Sequence, residues 1–168
     1  MPDAPPPQLD ATARSRDRRA SFAAVLAAVA VFGFVLGVTY PMLALALESR
    51  GVSNTMIGVN GAMEALGILV CAFFGPQLAT RLGALRYMIA SLIVTALSLV
   101  SFGLVENPIA WMPLRFILGV GIAGLFLISE SWVNAIAEDA HRGKALGIYV
   151  TVLAAAFAAG PLLVPVLG

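Results

Sequence analysis

The residues that could do chemistry in this chain are few, and most of them stand in apolar surroundings. Arg115 and Glu130 interrupt the run 109–137, IAWMPLRFILGVGIAGLFLISESWVNAIA. Asn60 and Glu64 lie four apart in a second apolar run, which puts them on one face of a helix. A charge in hydrocarbon costs roughly 2.5–3.5 kcal/mol on insertion scales, so such residues usually turn toward a bundle interior or a water-filled cavity. Glu64 could take up and release a proton there with Arg115 as its charge partner, while Asn60 and Tyr40 line the same polar path. The bland alternative is a structural ion pair holding two helices together. The single histidine, His141, lies in a polar connection, and the single cysteine, Cys71, in an apolar run, so no disulfide closes within the chain and no metal cluster forms. No nucleophile–base pair, phosphate loop or nucleic-acid patch is visible, and nothing calls for an enzyme or a cofactor.

The elements that must position these residues follow from composition. Of 168 residues, 60% are hydrophobic and 11% charged, where a soluble domain carries roughly 25% charged residues. The chain is therefore read as an all-α integral membrane protein with the lipid bilayer as its surroundings. Five apolar segments, 21–47, 55–79, 87–105, 109–137 and 145–167, are each far longer than the roughly ten residues of a tilted barrel strand, and none alternates in polarity. Residues 1–20 read as a disordered arm, Pro-rich and ending in RSRDRR, and 21–168 as a five-span domain. The connections ESRGVSN, TRLGALR, ENP and EDAHRGK are short enough to make neighbouring helices antiparallel.

Basic residues give the orientation. Arg14, Arg16, Arg18, Arg19, Arg81, Arg86, Arg142 and Lys144 fall on one side of this arrangement, which makes that side and the amino terminus cytoplasmic. Counted from the outer end, Glu64 then lies about ten residues in and Arg115 about six or seven, at similar depth. Three spans and then two suggest a repeat followed by an unfinished repeat, the arrangement of many transporters.

Small residues mark where helices approach closely: Gly119, Gly121 and Gly124 in the fourth span, and Gly33 with Gly37 in the first. Gly83 can take the left-handed backbone that ends a helix. Pro41, Pro113 and Pro161 free backbone carbonyls and permit bends. Along the fourth span, Arg115, Gly119, Ala123, Phe126, Glu130 and Asn134 form one slowly drifting stripe, taken as the functional face. Tyr40 and Trp111 suit an interfacial aromatic belt, and Ser91, Thr95 and Ser98 are expected to bond their own helix backbone.

At these residues the chain resembles the amino-terminal half of a Major Facilitator Superfamily transporter. The connection GPQLATRLGALR is similar to that superfamily's motif A, roughly G-x-L-A-D-R-x-G-R-R. Leu78, Ala79, Arg81 and Gly83 fit, Gly75 is one place early, Arg86 one place late, and Thr80 stands where the motif has its acid. Arg115, Gly119 and Gly121 resemble motif B, whose arginine the superfamily associates with proton coupling or substrate contact. Gly160 and Pro161 resemble motif C of drug/proton antiporters, and SESWVN followed by EDAHRGKALG is similar to bacterial members of uncertain substrate.

The resemblance implies an incomplete six-helix half and secondary active transport of a small molecule across a bacterial inner membrane by alternating access. A second half or another membrane subunit would complete it. It also implies a cytoplasmic gate at Arg81, Gly83 and Arg86, for which Glu130 and Arg142 supply partners; a headgroup-level carboxylate is the other reading of Glu130. The alternative function is a non-transporting membrane scaffold or assembly subunit.

Overall fold

The computed structural model describes residues 9–137 and 141–164. The first eight residues, positions 138–140 of the EDAHRGK connection and residues 165–168 lie outside that range. The described residues form five long helices, α1 (Leu9–Ser49), α2 (Asn54–Leu82), α3 (Ala84–Leu104), α4 (Trp111–Ile136) and α5 (Arg142–Ala159), the last followed by a 3-10 turn, Gly160–Leu163. Each helix is long and apolar enough to cross a membrane.

Three local differences from expectation have simple causes. Helix α1 begins at Leu9, so the second half of the arm expected to be disordered is helical; past the prolines, its Ala and Arg content favours helix. Pro113 is the third residue of α4, within the first turn, where its missing N–H would have had no helical partner anyway, so it frees no carbonyl for a bend. Pro161 does interrupt: α5 stops at Ala159 and the chain tightens into the 3-10 turn.

The chain divides into two compact units, one of Met1–Val38 with Trp132–Gly168 and one of Thr39–Ser131. In the first, α1 and α5 meet backbone to backbone through glycine. A Cβ on Gly33 would lie 2.9 Å from the Leu153 carbonyl oxygen, and one on Gly37 would land on that of Phe157. Gly160 faces the Gly37 backbone just as closely.

The second unit holds the candidate site and is built inside out relative to a soluble protein. The buried line of α2 is Asn60, Glu64, Gly67, Cys71 and Gly75; that of α3 is Tyr87, Ser91, Thr95, Ser98 and Phe102. Steps of three and four place each line on one helical face. Their large aliphatic and aromatic neighbours point outward, Phe73, Phe74, Leu92 and Leu97 each being more than half exposed. Against hydrocarbon that exposure costs nothing, which leaves much of the buried faces of α2 and α3 to polar and small residues.

Helix α4 packs on both. Gly67 abuts the backbone of Phe116 and Val120, and Gly119 abuts that of Glu64, which draws α2 and α4 together. Gly121 and Gly124 face Ser91, Thr95 and the Tyr87 hydroxyl, which does the same for α3 and α4. The α3 hydroxyls turn back on their own helix: Thr95 donates to the Ser91 carbonyl at 2.9 Å and Ser98 to that of Val94 at 2.8 Å. At one end, Arg50 donates to the Glu106 carbonyl at 2.7 Å, joining the α1–α2 and α3–α4 connections. Helix α2 starts where α3 ends, so the two run antiparallel.

Candidate functional site

Asn60 and Glu64, one turn apart on α2, point at α4 because Gly67 and Gly119 remove the bulk that would hold the two backbones apart. Arg115 comes from α4, one turn before Gly119. Its Nε donates to Asn60 Oδ1 at 3.1 Å and its Nη1 to Glu64 Oε2 at 2.5 Å. Tyr40, from α1, donates its hydroxyl to the other carboxylate oxygen, Glu64 Oε1. Both charged side chains are nearly sealed, at 7% and 5% exposure. The guanidinium also lies 5.7 Å from the Tyr40 ring centroid and 5.9 Å from that of Phe102. All of these residues belong to the second unit.

A hollow of about 390 Å³ opens beside this cluster. Glu64, Arg115 and Tyr40 supply its polar wall; Ala44, Ile57, Gly61, Ala65 and Ile68 supply the rest. It is a small, mostly apolar recess with converging polar groups, the usual character of a small-molecule site. Asn60, which does not line the hollow, has its Nδ2 buried without a hydrogen-bond partner. Since Arg115 can only donate, its bond to Asn60 fixes which amide atom is the oxygen and leaves the amide nitrogen as an unmet donor. Among the described residues no three of His, Cys, Asp and Glu come close enough to hold a metal ion.

The four pathway residues named from sequence thus meet at one place. Tyr40 is no belt residue, because its hydroxyl reaches the Glu64 carboxylate. Trp111 is none either: it is 2% exposed, its Nε1 donates to the Val105 carbonyl at 2.8 Å, and it meets Phe102 edge-on at 5.1 Å. Arg50 lies over its other side, 4.8 Å from the ring. Amphipathic aromatics look alike in sequence whether their polar end finds headgroups or a carbonyl.

Along α4, Arg115 and Gly119 are buried together with Ile122, Gly124 and Ile128, while Glu130 is exposed.

The gate residues named from sequence fall at several places along the chain. Arg81 and Arg86 flank the α2–α3 turn and are exposed. Gly83 has φ 82° and ψ 147°, so it is not left-handed helical as expected, yet it occupies a region open essentially to glycine alone. Its N–H caps α2 on the Ala79 carbonyl at 3.0 Å. Arg142 opens α5, in the other unit, and Gly160 and Pro161 form the α1–α5 contact and the end of α5. Sequence reasoning missed Gly67; Cys71 is buried, its thiol 3.3 Å from the Tyr87 hydroxyl. A glycine one turn below Glu64 was the available signal for the former.

Comparison with known proteins follows the same lines. Residues 25–168 match the sequence model of the Major Facilitator Superfamily. The uncharacterised MFS-type transporter YfkF of Bacillus subtilis (strain 168) is 28% identical over 137 residues, which is 82% of this chain and 35% of that protein. YcaD, an uncharacterised MFS-type transporter of Salmonella arizonae, is 28% identical over 141 residues, 83% of this chain and 37% of the relative. YcaD of Salmonella newport matches over the same shares. The chain therefore spans little more than a third of the length of these relatives. No solved structure gives a significant match.

Proposed function

The chain belongs to the Major Facilitator Superfamily, and from that premise we propose that it forms part of a secondary transporter that moves a small solute by alternating access, coupled to protons. The observation that carries the reading is the buried Glu64–Arg115 pair on the wall of a hollow. Removing two charges from water costs several kcal/mol per ion, and apolar residues would hold the helices together at least as well. A pair retained at that cost beside an open recess has a use in the recess.

Glu64 is the proton carrier and Arg115 its partner. Tyr40 and Asn60 hold the two in register, one on the carboxylate and one on the guanidinium. When Glu64 is ionised the pair is closed and bridges α2 and α4; when it is protonated Arg115 is released, and the helices are free to change their relation. The membrane is the bacterial inner membrane, with the amino terminus cytoplasmic. Arg81, Gly83 and Arg86 serve the gate on that side, with Glu130 and Arg142 as its other members.

The test uses the full-length transporter containing these residues. A thermal-shift screen in detergent identifies a ligand, and its uptake into proteoliposomes is followed under an imposed pH gradient. Glu64→Gln is expected to abolish gradient-driven uptake while the protein still folds and purifies. Undiminished gradient-driven uptake by Glu64→Gln would overturn the reading.

A further inference from the structure

Resting on that transport reading, we propose that the hollow receives an amphipathic organic anion, which replaces the Glu64 carboxylate on Arg115 as Glu64 takes up a proton. Each oxygen of the Glu64 carboxylate accepts a hydrogen bond, Oε1 from Tyr40 and Oε2 from Arg115, which leaves about half of its acceptor capacity. Arg115 is less fully used. Its single Nε–H goes to Asn60 and one N–H of Nη1 to Glu64, while Nη2 makes no hydrogen bond among the described residues. The guanidinium borders the hollow.

Asn60 is 1% exposed and does not line the hollow; its Oδ1 holds Arg115 Nε and its Nδ2 has no acceptor. The open group on the wall of the hollow is the Arg115 donor, which a solute meets with an acceptor. A cation would instead have to share the Glu64 carboxylate with Arg115, whose own positive charge lies 2.5 Å from it. The remainder of the wall, with Ile57, Ala65 and Ile68, suits an apolar body behind the anionic head.

The exchange conserves charge. Ionised Glu64 with Arg115 is neutral, and so is protonated Glu64 with Arg115 and a bound anion. The proton comes from water and settles on Oε2, the oxygen that Arg115 releases, while Tyr40 goes on donating to Oε1. Hydrogen bonds apart, no other bond is made or broken. Among the described residues the titratable groups facing Glu64 are Tyr40 from α1 and Arg115 from α4; α3 contributes the Phe102 ring, which carries no charge.

The test compares three probes with one body and different heads, 4-phenylbutyrate, 4-phenylbutylammonium and 4-phenylbutanol, binding to the full-length transporter in detergent. The anion is expected to bind most tightly. One proton is taken up per anion, so its affinity rises roughly tenfold for each pH unit lowered while Glu64 is ionised in the free protein. In Glu64→Gln the anion still binds and the pH dependence disappears, while Arg115→Lys weakens the anion by about tenfold, through loss of the planar fork.

Proton uptake by the unmodified protein, followed with a pH dye, keeps the test independent of how a variant folds. An anion that binds no more tightly than the other two probes, or binds without proton uptake, overturns the proposal. Tighter binding of the ammonium with proton release would overturn the anion and leave proton-coupled transport standing. Anion binding with proton uptake but no flux in proteoliposomes would remove transport and leave the exchange.

Discussion

Gly119 lies against the backbone carbonyl of Glu64, so closely that a Cβ would occupy the same space. One helical turn away, Arg115 reaches the Glu64 carboxylate at 2.5 Å. The absence of one side chain thus sets the distance at which a charge pair closes. Replacing Gly119 with alanine is expected to destabilise by about 1–3 kcal/mol through overpacking. The pair would be pried apart at the same time. Thermal unfolding of the full-length protein in detergent checks the first effect, and the distance between spin labels at the exposed positions Leu66 and Ile117 checks the second.

The Glu64–Arg115 pair makes a prediction about combined variants. Arg115→Leu alone leaves a buried carboxylate without its cation, a loss of about 3–5 kcal/mol. Glu64→Leu leaves the opposite charge stranded, with a similar loss. The double variant is expected to be more stable than either, because no charge remains to be held in an apolar site. Equilibrium unfolding of all four proteins measures the coupling directly. A double variant with the sum of both losses would mean that the pair acts separately on the fold.

Trp111 ties the end of α3 to the start of α4. Trp111→Phe retains the ring contact with Phe102 but loses the hydrogen bond to the Val105 carbonyl and part of the Arg50 interaction. A loss of about 1–2 kcal/mol is expected from the two together. Trp111→Ala should cost more, about 3–5 kcal/mol, since it adds a cavity. Denaturant unfolding distinguishes them.

At the α2–α3 turn the cost lies in the backbone. Gly83 has open space around it, yet its φ of 82° is one that side-chain-bearing residues rarely adopt. Gly83→Ala is expected to cost about 1–3 kcal/mol. Gly58, also in open space but helical, serves as the control; Gly58→Ala should be neutral or stabilising by up to about 1 kcal/mol. Melting temperatures of the two variants, compared side by side, suffice.

These cases show what can be read from the chain and what cannot. The spans are legible because an unbroken apolar run of such length admits few other structures. Asn60 and Glu64 are legible as a pair because spacing alone puts them on one face, and Arg115 because charge is rare in such company. Which face of α4 stays buried is not legible. In hydrocarbon, large apolar residues sit equally well inside or out, so hydropathy stops marking the core, and Glu130 and Ile128 cannot be sorted by type. Gly67 gains its full meaning only with Phe116, too far along the chain for periodicity to connect them, and Trp111 only with the Val105 carbonyl across the α3–α4 turn.

The latch between the α1–α2 and α3–α4 connections illustrates a last point. Arg50 grips the main-chain oxygen of Glu106, leaving the acidic group of that residue out of the bond. The identity of the amino acid at position 106 therefore has no handle on this fastening. The two turns are fastened by the one feature every residue shares, so a substitution there leaves the acceptor in place.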